Sequence, residues 1–239
     1  MKYNILGSSS KGNSIIVEDI LCLDVGISYT KIKDYLSKVK LIFISHIHKD
    51  HLNPAAIKQL AYNFPNMKFL TGSKAVVGRL VELHVSKKNI FYIDISKGNN
   101  WFDLGLISVK LEPLAHDVEN YCLHFDIHGK KGIYIVDTNN VDNINAKNYD
   151  LFLVENNYQE SVLKRHIQEC VDEGQLRYLN RVPHTHLSKS QCDDFLIKNM
   201  GKNSIFNYIH ISSFNNTGDG EIWKKKFGKT LKDMKVCIK

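Results

Sequence analysis

The sequence has no run approaching the roughly 18 consecutive apolar residues that a membrane-spanning helix needs, so no membrane is expected as a partner. Its opening, Met1-Lys2-Tyr3-Asn4-Ile5-Leu6, turns polar and Gly/Ser-rich within a few residues and is too short for the apolar core of a secretory signal. Cysteine is sparse and unpaired in pattern. Cys22, Cys122, Cys170, Cys192 and Cys237 are dispersed, with no C-x-x-C among them. An odd, scattered set excludes a disulfide framework of the secreted kind and points to a reducing compartment, so the expected location is cytoplasmic. Repeats, low-complexity linkers and compositional boundaries are also missing, which leaves a single domain over residues 1–239 as the expectation.

What is present is a chain of 239 residues, 43% hydrophobic, enough for a sizeable core. Its formal charge is +7, a modest excess that suits solubility and is compatible with a polyanionic substrate such as nucleic acid or a nucleotide.

The densest chemical signal is Ser45-His46-Ile47-His48-Lys49-Asp50-His51. It follows the apolar run Leu41-Ile42-Phe43-Ile44, which reads as a buried strand. The chain thus leaves a rigid strand and at once presents three histidines and an aspartate. Imidazole and carboxylate together suit zinc, manganese or iron. His46 and His48, two apart on an extended segment, point the same way and can share one ion. Asp50 and His51, past the bend, can face a second.

Elsewhere, apolar runs and their punctuation predict strands at 2–6, 14–18, 20–24, 67–71, 89–93, 106–114, 121–126, 132–136, 151–155, 205–210 and 235–238. Helices are predicted at 29–39, 54–63, 73–84, 159–172 and 189–199. Pro54 opens one of them, and Ser188 with Gln191 three residues on makes a capping box for another. The strands come in two groups with helices between, which suits an α/β (α+β) fold of two sheets packed face to face with helices outside. The loop Gly7-Ser8-Ser9-Ser10-Lys11-Gly12-Asn13-Ser14 lets backbone approach a ligand closely, and its amides and hydroxyls can hold a phosphate. The segment from Trp223 to Lys229 is basic.

Three further ligand-type residues stand at predicted strand ends: His116, Asp137 and His210. Ligands gathered from strand-end loops are what a rigid two-metal site requires. One ion would take His46, His48 and His116, the other Asp50, His51 and His210, with Asp137 between them. Two such ions, roughly 3.5–4 Å apart, lower the pKa of a water and clamp a phosphoryl or carbonyl oxygen. A structural zinc would draw on cysteines, and none has a partner near these segments. His84, His124, His128 and His166 read as ordinary polar or packed residues.

The pattern His46-x-His48-x-Asp50-His51, followed by His116, Asp137 and His210 in that order and preceded by Asp24 at the end of an early hairpin, resembles the metallo-β-lactamase superfamily. The resemblance implies a four-layer αββα sandwich, two divalent metal ions (zinc or manganese), Asp50 as a catalytic ligand, and Asp24 orienting the motif loop. Within the superfamily the chain is most similar to the YycJ/WalJ group, a branch related to RNase Z. The opening Gly/Ser loop, His186-Leu187-Ser188 and His210-Ile211-Ser212-Ser213-Phe214-Asn215-Asn216 carry that likeness. It departs from the group at Thr185, Lys189 and Asn139, and Glu155-Asn156-Asn157-Tyr158 lacks a histidine the group carries there.

The function implied is hydrolysis of phosphodiester bonds in nucleic acid, exonuclease-like, with DNA favoured over RNA. His186 would contact the scissile phosphate or protonate the leaving oxygen, with His184 as a second candidate for that position. Ser9, Ser10, Asn13, Ser188 and Asn215 would contact substrate. One alternative is a cyclic nucleotide phosphodiesterase like small phage-encoded anti-defence (anti-Pycsar) relatives of RNase Z. Another is a glyoxalase-type thioester hydrolase, which the opening loop and His186-Leu187-Ser188 argue against. A homodimer is the assembly implied by the same resemblance.

Overall fold

The computed structural model describes residues 1–98, 100–212 and 229–230. The fold is mixed α/β with two sheets. Contacts divide the chain into two compact units: Met1–Pro113 with Val118–Lys130, and Leu114–Asp117 with Lys131–Lys239.

In the first unit, strands β1 (Tyr3–Gly7), β2 (Ser14–Val17), β3 (Leu21–Leu23), β4 (Leu41–Phe43), β5 (Lys68–Thr71) and β6 (Ile90–Tyr92) lie side by side in sequence order. The first three pair antiparallel, and β3 to β6 pair parallel. Parallel strands are covered on both faces and read as continuous apolar runs, and β3 and β4 are buried throughout. Helices α1 (Tyr29–Ile32), α2 (Pro54–Asn63) and α3 (Lys74–Glu82) supply Ile32, Ala56, Ile57, Leu60, Val76 and Leu80 to a core that also takes Ile16, Val25, Ile42 and Phe69. Asn53 caps α2 by accepting from the Ala55 and Ala56 amides, and Pro54 stands in its first turn, where no amide hydrogen is needed. Strands β7 (Phe102–Asp103), β8 (Ser108–Leu114) and β9 (Asn120–Ile127) complete this unit.

In the second unit, β10 (Lys130–Ile135), β11 (Leu151–Glu155) and β12 (Ile205–Ile209) run parallel, and β13 (Lys229–Thr230) pairs antiparallel to β12. Helices α4 (Glu160–Glu169), α5 (Glu173–Thr185) and α6 (Lys189–Asn199) follow β11. The register aligns Ile135 with Val154 and Glu155 with Ile209, so the carboxyl ends of three neighbouring strands finish at one edge.

The structure departs from the sequence expectation in two places. The helix expected over 29–39 closes after one α turn and a 3-10 turn at Lys33–Tyr35, because the amides of Lys40 and Leu41 both donate to the Ile20 carbonyl and the chain must already be extended there. The helix expected over 159–172 stops at Glu169, and a second one, α5, begins after Asp172, whose side chain accepts from the Gln175 amide. The strand expected at 235–238 lies outside the described residues, as does the basic tail apart from Lys229. No helix among the described residues is long and apolar enough to cross a membrane. Cys22, Cys122, Cys170 and Cys192 are free thiols.

Candidate metal centre

The first unit holds the motif loop at the carboxyl end of β4. Asp24, at the end of the neighbouring β3, is fully buried with φ +58°. Its Oδ1 accepts from the Ser45 amide at 2.8 Å, and its Oδ2 accepts from the Ser45 hydroxyl at 2.9 Å and lies 2.7 Å from His51 Nδ1. With its hydrogen given to Asp24, Ser45 Oγ remains an acceptor for His46 Nδ1 at 3.0 Å. Both imidazoles therefore carry their proton on Nδ1, and both present an unprotonated Nε2, the form that binds a metal.

The spacings fit ions. Two donors about 2.0–2.1 Å from one tetrahedral zinc stand about 3.3 Å apart. His46 Nε2 lies 3.1 Å from His48 Nδ1, and His51 Nε2 lies 3.3 Å from Asp50 Oδ2.

The loop is held from beneath by backbone. The Asn13 amide donates to the Asp50 carbonyl at 2.7 Å, Val25 donates to His51, and Asn53 donates to Val25. Gly26 makes this possible: a Cβ there would stand 1.6 Å from the Asp50 carbonyl oxygen. Gly12, at φ +145°, would likewise drive a Cβ to 2.6 Å from the Gly26 carbonyl. The Asn13 side chain, 2% exposed, is committed to this scaffold, with Nδ2 at 3.1 Å from the Ser9 carbonyl, 3.2 Å from the Asp50 carbonyl and 3.0 Å from His51 Nε2. Ser9 Oγ accepts from the Lys11 amide, and Ser10 is exposed.

The second unit gathers its own set. Asp137 and His210 follow β10 and β12, both with φ +51°. Left-handed backbone is tolerated by Asp and His better than by most residues, and it turns these side chains off the strand direction. Asp137 Oδ1 lies 3.1 Å from His210 Nε2 and 3.3 Å from His186 Nδ1. The ligand atoms of Asp137, Glu155, His186 and His210 all lie within 4.8 Å of one another, a spacing able to hold a cation. The His186 ring stacks on His210 with centroids 5.4 Å apart, and the His116 ring is 6.1 Å from His186. His116 follows β8 and stands 3.1 Å from its neighbour Asp117.

Glu155, the last residue of β11, carries a role that sequence reasoning missed. It is wholly buried, and its Oε1 lies 2.6 Å from His186 Nδ1. Its Oε2 accepts from the amides of Thr138 at 3.1 Å and Leu187 at 3.5 Å. Burial opposes charge on His186, but Glu155 and then Asp137 outweigh it and raise the imidazole to about 10. The signal lay in position alone: a carboxylate closing an otherwise apolar strand between two others that end on Asp137 and His210.

Asn157 ties together the loops that carry His186 and His210. Its amide donates to the Leu187 carbonyl, its side chain donates to the His210 carbonyl at 3.1 Å, and its carbonyl accepts from Ser212. Ser188, 2% exposed, caps α6 in a complete capping box with Gln191, so its hydroxyl serves the helix. His184 is exposed, and its carbonyl accepts from Asn139 Nδ2 at 2.7 Å. Asn215 lies outside the described residues.

No protein-family model matches the sequence, and no curated protein matches it. Solved structures do. The short form of human tRNase Z superposes with a TM-score of 0.66 at 16% identity, over 89% of this chain and 93% of that one. The metallo-β-lactamase fold protein YhfI from Bacillus subtilis gives 0.64 at 15% identity, over 88% and 86%. A diphosphatase of the PhnP family gives 0.59 at 13% identity, over 95% and 92%. The chain has the metallo-β-lactamase fold.

Proposed function

We propose that this protein is a two-metal phosphodiesterase that cleaves nucleic acid, DNA in preference to RNA. The observation that carries the reading is the pairing of His186 with Glu155 at 2.6 Å, against Asp137 and stacked on His210. A histidine held by a buried carboxylate at the edge of a set of metal-type donors is placed to give a proton to a departing oxygen.

In this reading His46, His48 and His116 hold one ion, Asp50, His51 and His210 hold the other, and Asp137 serves both. Zinc and manganese both suit that donor set. When bound, the ions would acidify a water and neutralise charge on the phosphoryl oxygens. The chain's own residues do the rest. Asp24 fixes the His51 tautomer directly and the His46 tautomer through Ser45. Glu155 accepts a hydrogen bond from His186 Nδ1–H and leaves Nε2–H for the leaving oxygen. Loss of that proton to the leaving group is favoured as negative charge builds there. The likeness of the opening loop and of His186-Leu187-Ser188 to the YycJ/WalJ group supports nucleic acid as substrate. The tRNase Z and the diphosphatase among the structural neighbours, whose names place their chemistry at phosphorus, support a phosphorus centre as the point of attack.

The test is turnover by the purified chain, loaded with manganese or zinc, of bis(p-nitrophenyl) phosphate, single-stranded DNA and RNA oligonucleotides, and 3′,5′-cyclic nucleotides. Cleavage of the diester and of DNA is expected. Hydrolysis of a thioester with no diester turnover overturns the reading.

A further inference from the structure

Arginine is scarce in this chain. Arg79, Arg165, Arg177 and Arg181 are the four arginines among 32 basic residues, and three of them fall on α4 and α5. The remaining basic residues are lysines. A guanidinium presents a planar fork that matches two phosphate oxygens at once, whereas an ammonium acts as a point charge.

Helix α5 is two-sided. Leu179 and Val182 are buried and pack with Tyr158 and Leu163. Arg177, Arg181 and His184, spaced by four and three residues, share the opposite face. The side chains of Arg177 and Arg181 are 83% and 61% exposed. Tyr178 is partly exposed beside them, a ring surface on which a base can stack.

This face leads into the site. His186 is the C-cap of α5. Arg181 comes within 3.9 Å of Asp117, and Asp117 within 3.1 Å of His116. Arg177 lies about 6 Å further along the axis, at 1.5 Å per residue. Its partner is Glu173 at 3.6 Å, one turn earlier on the same helix. Both ion pairs are solvent-exposed, and such pairs contribute little and give way readily to a phosphate.

We propose that the Arg177, Arg181 and His184 face of α5 is a track for the phosphates of a single nucleic acid strand, running away from His186 along the helix. This rests on the phosphodiesterase reading and sharpens it. The preferred substrate is a strand of several nucleotides, and a cyclic mononucleotide is too short to reach Arg177.

The test uses the full chain with manganese and the double variant Arg177→Ala/Arg181→Ala, with Arg177→Lys/Arg181→Lys as the charge-keeping partner and Arg79→Ala as the control. Binding of a fluorescent 12-nucleotide DNA and its RNA counterpart is followed by anisotropy across a salt series. The alanine pair should weaken binding about tenfold, and two lost phosphate contacts should flatten the slope of log K against log salt by about 1.4. The lysine pair should recover the slope but only part of the affinity, and Arg79→Ala should match wild type. In turnover, the ratio of kcat/KM for the oligonucleotide to that for bis(p-nitrophenyl) phosphate should fall about tenfold in the alanine pair. Unchanged oligonucleotide affinity and salt slope in the alanine pair would overturn the track, as would an equal loss on both substrates or a wild-type preference for a 3′,5′-cyclic nucleotide. If wild type turns over no diester at all, the phosphodiesterase reading falls, and the anisotropy series still decides the track.

Discussion

Asp24 Oδ2 lies 2.7 Å from His51 Nδ1, and both side chains are closed to solvent. The same oxygen accepts from Ser45 Oγ at 2.9 Å, which stands 3.0 Å from His46 Nδ1. One buried carboxylate thereby sets the tautomers of two imidazoles. Asp24→Asn keeps the volume but replaces one acceptor oxygen with a donor. Competition with a chelator should show metal affinity reduced about 10–100-fold, the usual cost of losing such a partner. Affinity equal to wild type in a folded variant would count against this role.

Gly26 is the position where the motif loop has no tolerance. Its missing Cβ would stand 1.6 Å from the Asp50 carbonyl oxygen and 2.7 Å from the Asn13 amide nitrogen. Gly26→Ala should therefore lower stability by about 1–3 kcal/mol or more, the range for forcing atoms into filled space, and release bound metal in proportion. Urea denaturation alongside metal analysis reads both. A variant with unchanged midpoint and full metal content would show that the loop can shift.

His124 is wholly buried on β9, and burial, followed by the nearby Lys110 charge, pushes its pKa down to about 3. Glu112 stands 3.6 Å away, but a neutral imidazole forms no ion pair with it. The sign follows from linkage. The folded pKa lies below the unfolded value of about 6.5, so this contribution is complete above about 6.5 and is lost as pH falls toward 3, at up to about 1.4 kcal/mol per pH unit. His124→Leu should flatten the acid side of the stability curve. Parallel curves for wild type and variant between pH 6.5 and 4 would contradict it.

The sequence and structure agree most closely where one signal is local. Residues 41–44 read as a strand because they are a continuous apolar run, and the chain indeed turns at Ser45 into the histidines. Ser188 and Gln191 announced the start of α6, and both halves of that box are formed. Residues 29–39 kept their apolar spacing, with Ile32, Leu36 and Val39 all buried, yet the return to β4 cuts the helix short. Helix α5 is hidden in the sequence because Gly174 and Pro183 both argue against helix, although Asp172 and Gln175 carry a cap signal. In the sequence Glu155 is the last residue of an apolar strand and nothing beside it marks a partner. Its partnership with His186 depends on the parallel register of β10, β11 and β12, and on Leu187 and Thr138 donating to its other oxygen, none of which spacing along the chain reveals.

That partnership makes a separable prediction. His186→Ala should lower kcat for a diester about 10²–10⁴-fold while metal content stays at the wild-type level. Glu155→Gln should act in the same direction, because a neutral amide no longer favours the protonated imidazole. Metal loss equal to activity loss in His186→Ala would make His186 a ligand rather than a proton donor.

The most direct measurement is metal content and bis(p-nitrophenyl) phosphate turnover determined together on wild type and Asp50→Ala. Two divalent ions per chain with diester hydrolysis in wild type, and a folded Asp50→Ala that has lost metal and turnover, is the predicted result. Diester hydrolysis surviving in Asp50→Ala, or none in a wild-type chain carrying two ions, would contradict the account.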